Sequence, residues 1–141
     1  MKVPRERKRL PRTKDSERGR LVRACDAECR HLVKRLALYR CECGCKGEPT
    51  NDNPLDWSHG YGRAQVWALR WAHSNTFALL RSCDRRLHRL GFGAFQALMV
   101  SSPAWARVQR LEVKRPKVGM THLLEILLGL RRGIFIQGGR T

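Results

Sequence analysis

The stretch that decides the fold is Tyr39–Phe95, which reads YRCECGCKGEPTNDNPLDWSHGYGRAQVWALRWAHSNTFALLRSCDRRLHRLGFGAF. It opens with three alternating cysteines and a turn-rich loop, and a fourth cysteine stands near its far end; these are Cys41, Cys43, Cys45 and Cys83. Between them lie His59 and Asn75, each beside a short apolar run. Thiol and imidazole side chains gathered in one segment are typical of metal-binding and hydrolytic sites. We therefore expect the chemistry of the chain to lie in this middle third.

Two short strands and a helix are predicted within this stretch. The first strand is Leu55–Tyr61, with His59 near its end, and the second is Asn75–Arg81, where apolar residues occupy both faces. Ser82–Leu90 is predicted to be a helix that ends at Gly91, because glycine has a low helix propensity and accepts unusual backbone angles. The order strand, strand, helix predicts a compact ββα unit.

Helices are also predicted on both sides of this unit. Residues 20–39 repeat apolar side chains at spacings of three and four, which indicates an amphipathic helix; these are Leu21, Cys25, Cys29, Leu32 and Leu36. Cys25 and Cys29 could bind a metal as an i, i+4 pair, but core thiols are the favoured interpretation. Residues 120–132 are apolar nearly all round, so this helix is expected to be buried or to pair with a second copy of the chain. The expected fold class is therefore α+β and mostly helical.

The charge of the chain points to a polyanionic partner. The 141 residues include 29 Lys and Arg but only 12 Asp and Glu, which gives a formal net charge of +17. Such a balance favours nucleic acid. A membrane is not the expected partner, because no apolar run reaches the roughly 18 residues of a spanning helix. The N-terminus lacks the apolar segment of a signal peptide, so a cytoplasmic location is expected. Because thiols stay reduced in the cytoplasm, the six cysteines of the chain indicate metal binding or buried thiols rather than disulfides.

The ordered set of residues resembles the HNH (ββα-metal) nucleases, and among them the phage NinG/Rap-type recombination nucleases. In that family a cysteine knuckle precedes a strand ending in His, a segment L-R-[WF]-x-x-x-N follows, and a Cys-[His/Asn] pair opens a helix. Here Leu69-Arg70-Trp71 precedes Asn75, His59 lies sixteen residues before Asn75, and Cys83 lies eight residues after it. The resemblance covers roughly the middle third of the chain, and it implies a phage or prophage protein of a bacterial host.

Three positions depart from the family pattern. The first knuckle reads C-x-C-x-C instead of C-x-x-C, and Leu80 stands where a second-knuckle cysteine is expected. Asp84 stands where the family has His or Asn. The first two departures bear on whether zinc is bound, and the third bears on how the catalytic metal is held.

The resemblance implies a role for each of the marked residues. His59 would be the general base and Asn75 would orient it or hold the loop. Asp84 and His88, one helical turn apart, would bind a divalent cation such as Mg²⁺ or Mn²⁺. The four cysteines Cys41, Cys43, Cys45 and Cys83 could bind a structural zinc ion. Contacts with DNA phosphates would come from Arg63, Arg70, Arg81, Arg85, Arg86 and Arg89.

Simpler interpretations stand beside these roles. Asp84 is equally well explained as the N-cap of the helix, and His88 as an exposed helix residue. The four cysteines could instead pack as small apolar side chains.

The expected organisation is a basic flexible tail at 1–19, an HNH-like nuclease core with its leading helix at 20–100, and a helical extension at 101–141. The expected function is metal-dependent DNA cleavage in recombination or DNA processing, with branched DNA among the candidate substrates. A homodimer could form through the helix at 120–132. The alternative is a non-catalytic basic protein that binds DNA or RNA on a degenerate HNH scaffold.

Overall fold

The computed structural model describes residues 16–45, 47–60, 69–100, 102, 104–108 and 119–135. Most of the predicted basic tail at 1–19 lies outside these residues. Its end belongs to the first helix, because the hydroxyl of Ser16 accepts a hydrogen bond from the backbone N–H of Gly19 at 3.1 Å and caps the helix. Residues 16–19, which the sequence analysis assigned to the tail, therefore belong to α1 and its N-cap.

The leading helix, α1, is Glu17–Leu36 and confirms the amphipathic helix predicted at 20–39, with both ends shifted toward the N-terminus. It stops because Leu38 and Tyr39 adopt left-handed backbone angles, with φ of 52° and 56°. Its buried face includes Cys25 and Cys29, both at 0% exposure in the core, which confirms their interpretation as core thiols.

The two predicted strands form an antiparallel hairpin. Strand β1 is Leu55–His59 and strand β2 is Thr76–Leu80, in a register that sets His59 opposite Thr76. Every residue of β2 is buried, because both of its faces are apolar and contact other elements. A 3₁₀ turn, His73–Asn75, leads into β2. The fold is thus α+β and mostly helical, as predicted.

Helix α2, Arg81–Met99, follows β2 without a loop and completes a ββα order. Gly91 interrupts it with φ of 78° and ψ of 171°, so the predicted break at this glycine is confirmed, although the helix resumes after the kink. The segment before Gly91 carries Cys83, Asp84 and His88.

Two further helices come from the predicted C-terminal extension: the short α3, Trp105–Val108, and α4, Met120–Arg131. α4 packs along α1, and the thiol of Cys25 donates to the carbonyl oxygen of Leu123 at 3.4 Å. The side chains of α4 that are buried in this core are Leu123, Ile126, Leu127 and Leu130. The described parts of the predicted segments 20–100 and 101–141 therefore share one hydrophobic core.

The helix at 120–132 was expected either to be buried or to pair with a second copy of the chain. Its main apolar face is buried against its own chain, while Leu124 and Leu128 remain 47% and 44% exposed. The predicted homodimer would have to use this narrower exposed strip. Among the described helices, none combines the length and the apolar character that a membrane crossing requires.

Candidate metal centre and active site

The four cysteines of the middle third converge on one point. Their sulfur atoms all lie within 4.8 Å of one another, with separations of 3.3 Å for Cys41–Cys43, 3.5 Å for Cys43–Cys83 and 3.7 Å for Cys45–Cys83. A tetrahedral zinc ion with Zn–S bonds of about 2.3 Å requires S–S separations of about 3.8 Å. The spacing of these thiols therefore suits a four-coordinate zinc ion.

Backbone N–H groups support two of these sulfurs. The N–H of Leu80 donates to the sulfur of Cys41 at 3.2 Å, and the N–H of Gly47 donates to that of Cys45 at 3.4 Å. Donors of this kind favour the thiolate, which is the form that binds metal. Leu80 stands where the resemblance predicts a cysteine, and it donates a backbone hydrogen bond to the cluster instead of a sulfur ligand. The segment Cys41–Cys45 provides three sulfurs, so the cluster still has four.

The protonation of the cluster is uneven. Burial raises the pKa of the Cys83 thiol from 9.0 to about 11, and burial followed by the hydrogen bond with Cys41 raises the pKa of Cys43 further. Burial also acts upward on Cys45, but the N–H of Gly47 and the neighbouring thiols together lower the pKa of that residue. Because zinc binds thiolates, a cation that binds at this cluster displaces the protons of thiols such as Cys83 and Cys43.

The knuckle is anchored to β2 and α3 by a charged pair that sequence patterns did not indicate. The backbone N–H and the carboxylate of Glu42 both bond to the backbone of Ala78, at 2.9 and 2.8 Å. The same carboxylate accepts from Arg107 of α3 at 2.6 Å, and this arginine also donates to the carbonyl oxygens of His73 and Thr76.

His59 lies at the end of β1, 8% exposed, with a defined hydrogen bond. Its Nε2 is 2.9 Å from the backbone carbonyl oxygen of Arg70. A carbonyl oxygen only accepts, so Nε2 carries the hydrogen and the basic lone pair of the neutral ring is on Nδ1. The ring also packs edge-on against Trp57, with centroids 4.4 Å apart. This contact favours hydrogen on Nε2, so that in the neutral ring, the form that a general base requires, Nδ1 is the basic nitrogen.

Asn75 is fully buried directly before β2. Its side-chain amide donates to the carbonyl oxygen of Leu69 at 3.2 Å, and its backbone carbonyl accepts from the N–H of Gly60, the residue after β1. Asn75 therefore ties the segment that contains Arg70 to the end of the hairpin. This geometry suits the loop-holding role that was predicted for it.

Asp84 and His88 come together on α2, where Oδ1 of the aspartate lies 3.1 Å from Nε2 of the histidine. Asp84 is not the N-cap of the helix, because α2 begins at Arg81 and Leu80 occupies the cap position. Among the described residues, only the four cysteines form a group of three or more candidate ligands within 4.8 Å. Asp84 and His88 are thus a pair of neighbouring side chains and not part of such a group.

Two of the six arginines predicted to contact DNA are held by carboxylates, and Arg63 lies outside the described residues. Arg70 makes a two-pronged ion pair with Asp26 in which both side chains are largely buried, so it is not available to a phosphate as predicted. Arg81 makes a similar but more exposed pair with Asp56, at 3.0 and 3.2 Å.

The remaining three arginines share one exposed face of α2. Arg85, Arg86 and Arg89 line a shallow cleft of about 340 Å³ together with Ser82. Their guanidinium groups make no ion pair among the described residues, which keeps their donors available to an anion. We call this set the α2 basic face.

A second cleft, of about 420 Å³, brings basic residues of α1 to Asp84. It is lined by Arg30, Lys34, Asp56, Trp57 and Asp84. The guanidinium of Arg30 lies 5.7 Å from the ring centre of Trp57, and burial, with the nearby arginines, lowers the pKa of Lys34. Sequence reasoning missed these two basic residues as site components. The only signal for them was that they follow one another at i, i+4 on the polar side of α1.

The chain matches no known family model, and it has no significant match among curated proteins or solved structures. The assignment of a function to this site therefore rests on its own geometry.

Proposed function

We propose that this protein is a metal-dependent HNH-type endonuclease that hydrolyses phosphodiester bonds in DNA. The observation that carries the proposal is the hydrogen bond from Nε2 of the buried His59 to the carbonyl oxygen of Arg70, because it makes Nδ1 the basic nitrogen whenever the ring is neutral. This histidine ends β1 of a ββα unit whose helix carries Asp84 and His88.

The reaction needs a base, a cation and a held phosphate. His59 would accept a proton from the attacking water at Nδ1, which an imidazole does well near pH 7. Asp84 and His88 would hold Mg²⁺ or Mn²⁺, which supplies positive charge to the phosphoryl oxygens as negative charge develops there. Two protein ligands suit Mg²⁺, because this ion commonly completes its coordination with water and substrate phosphates.

Basic side chains flank Asp84 on two elements. The α2 basic face lies along its own helix, and Arg30 and Lys34 approach from α1 across the second cleft. Guanidinium groups donate paired hydrogen bonds to phosphate oxygens, so both sets would grip the DNA backbone rather than read its bases. The net charge of +17 adds long-range attraction.

The four cysteines would hold a structural zinc ion next to this site. All four zinc positions would be filled by protein sulfur, which leaves no place for water or substrate. Because Cys83 directly precedes Asp84, such a zinc would fix the first turn of α2 and with it the carboxylate.

The test is cleavage of labelled linear duplex, single-stranded and four-way-junction DNA, with Mg²⁺, Mn²⁺ or a chelator. We expect His59→Ala to lower kcat by about 10²- to 10⁴-fold, the usual contribution of a general base, while DNA affinity is retained. His31→Ala, which removes an exposed histidine of α1, is the matched control and should cleave like the wild type. Preference for the junction would favour a recombination role. Equal cleavage by His59→Ala would contradict the assignment.

A second candidate is a non-catalytic DNA- or RNA-binding protein on the same scaffold. It is favoured by the pairing of Asp84 and His88 with each other, in the absence of a third close ligand among the described residues. It predicts salt-sensitive binding without cleavage under any metal. Competition between duplex DNA and structured RNA would then identify the preferred nucleic acid.

A further inference from the structure

We propose that Asp26 is a positioning residue that holds His59 in its Nδ1-basic tautomer by fixing the backbone of Arg70. The catalytic consequence of this inference rests on the proposed function, whereas its effect on the histidine ring does not.

Asp26 is a buried carboxylate on α1 that binds two consecutive side chains of another segment. Its Oδ1 accepts from Nε of Arg70 at 2.8 Å and from Nε1 of Trp71 at 2.9 Å, and its Oδ2 accepts from the terminal nitrogen of Arg70. Asp26 is 8% exposed and Trp71 only 3%. These three hydrogen bonds tie residues 70 and 71 to α1.

The same arginine provides the acceptor for the histidine. The carbonyl oxygen of Arg70 lies 2.9 Å from Nε2 of His59, so one residue joins the carboxylate of α1 to the imidazole of β1. If the Arg70–Trp71 peptide rotated, this acceptor would move away from the ring. The imidazole would then lose a contact that favours hydrogen on Nε2, and the population of the other neutral tautomer would rise.

Other bonds hold the segment as well, and one of them, from the N–H of Ala72 to the carbonyl oxygen of Leu69 at 3.2 Å, closes a turn around the Arg70–Trp71 peptide. Asn75 holds the carbonyl of Leu69, and the hydroxyl of Thr76 donates to that of Ala72. Both fix residues on either side of the Arg70–Trp71 peptide, while Asp26 is the group that holds the two side chains extending from it. Charge-assisted, two-pronged bonds of this kind are directional, and this property suits a positioning role.

Burial explains why a single substitution should move the peptide. A buried guanidinium that loses its carboxylate is left with an uncompensated charge, which is strongly unfavourable. In Asp26→Asn, Arg70 would therefore turn toward solvent and carry its backbone with it. Because Asp26 acts through Arg70 and not on the DNA itself, the expected consequence is a lower kcat without a higher KM.

The experiment records the ring ¹⁵N chemical shifts of His59 in histidine-labelled, zinc-loaded protein, together with cleavage kinetics. The wild type should show hydrogen on Nε2. Asp26→Asn should shift the ring signals toward a mixture of tautomers and lower kcat by about 100-fold, the scale of a misplaced catalytic group. Arg70→Lys keeps the positive charge but loses the paired guanidinium donors. It should change the ring shifts and kcat in the same direction as Asp26→Asn, but by less.

Glu28→Gln is the matched control, since it removes a carboxylate from α1 two residues away whose 3.6 Å contact is with Arg131. It should leave the His59 signals and kcat unchanged. Wild-type ring shifts in Asp26→Asn would overturn the inference whatever the kinetics show. A wild type without cleavage would refute the nuclease proposal, and the ring shifts would still decide the role of Asp26. If Asp26→Asn does not fold, the ring shifts of Arg70→Lys decide it.

Discussion

Two candidate metal sites meet on adjacent residues of α2, and they are built in opposite ways. At Cys83 the site has four sulfur ligands from two segments, all within 4.8 Å, with backbone N–H support. At Asp84 the site has one carboxylate and one imidazole from a single helix, and His88 is 58% exposed. The first is complete within the chain, whereas the second leaves most of a coordination sphere to other ligands.

The closed and the open arrangement of ligands suit different roles. A closed tetrahedron of thiolates binds its ion permanently and contributes to folding, while an open site keeps positions for water or substrate. Soft sulfur selects zinc, and oxygen with imidazole suits harder divalent ions, so one protein can keep two metals apart. Substitution at the open site should therefore leave zinc binding unchanged, although the two sites are neighbours in sequence.

The largest expected effect is the loss of the closed site. Cys83→Ser should reduce bound zinc from about one ion per chain to nearly none, and the chain should unfold at lower denaturant. Zinc binding to such sites contributes on the order of 10 kcal/mol, most of which appears as folding free energy. Metal analysis by mass spectrometry and urea unfolding measure the two effects.

Cys29→Ala is the matched control for this prediction, because Cys29 is fully buried in the core on α1. It should keep its zinc and lose about 1 kcal/mol of stability, as an ordinary buried substitution does. A Cys83→Ser protein that retains equimolar zinc would show that the four sulfurs do not act as one site.

A smaller effect, confined to activity, is expected at the open site. Asp84→Ala should lower cleavage by about 100-fold or more, because the divalent cation loses its carboxylate. Zinc content and urea midpoint should remain those of the wild type. Asp52→Ala, in the exposed loop before β1, is the control and should change neither. Loss of zinc in Asp84→Ala would show that zinc binding at the four cysteines depends on the open site.

Features set by local sequence were predictable. The strands, the amphipathic α1 and the break at Gly91 follow from apolar spacing and glycine chemistry, which act over a few residues. The convergence of the four cysteines is not local, since Cys43 and Cys83 are 40 residues apart, and it was expected from the resemblance to HNH nucleases and not from spacing. The ends of helices were predicted less accurately, because caps such as Ser16 depend on single hydrogen bonds.

Features set by distant partners were not predictable. Arg70 was predicted to contact phosphate because a guanidinium is a forked donor, yet its partner Asp26 lies 44 residues away, and nothing in the spacing links the two. The pair Glu42 and Arg107 is separated by 65 residues and was missed for the same reason. Charge can be counted from a sequence, but whether a given charge is internally neutralised depends on the fold.

The smallest expected effect tests that distinction on the arginines themselves. Arg85 belongs to the exposed α2 basic face, whereas Arg81 is paired with Asp56. If Arg85 contacts a phosphate, Arg85→Gln should reduce the slope of log Kd against log salt by about 0.9 and weaken binding to all DNA sequences alike. Arg81→Gln should change that slope less, because its guanidinium is already neutralised. Fluorescence anisotropy at several salt concentrations measures both slopes. A larger change for Arg81→Gln than for Arg85→Gln would mean that DNA replaces the carboxylate of Asp56, so that an arginine paired within the chain is a DNA contact after all.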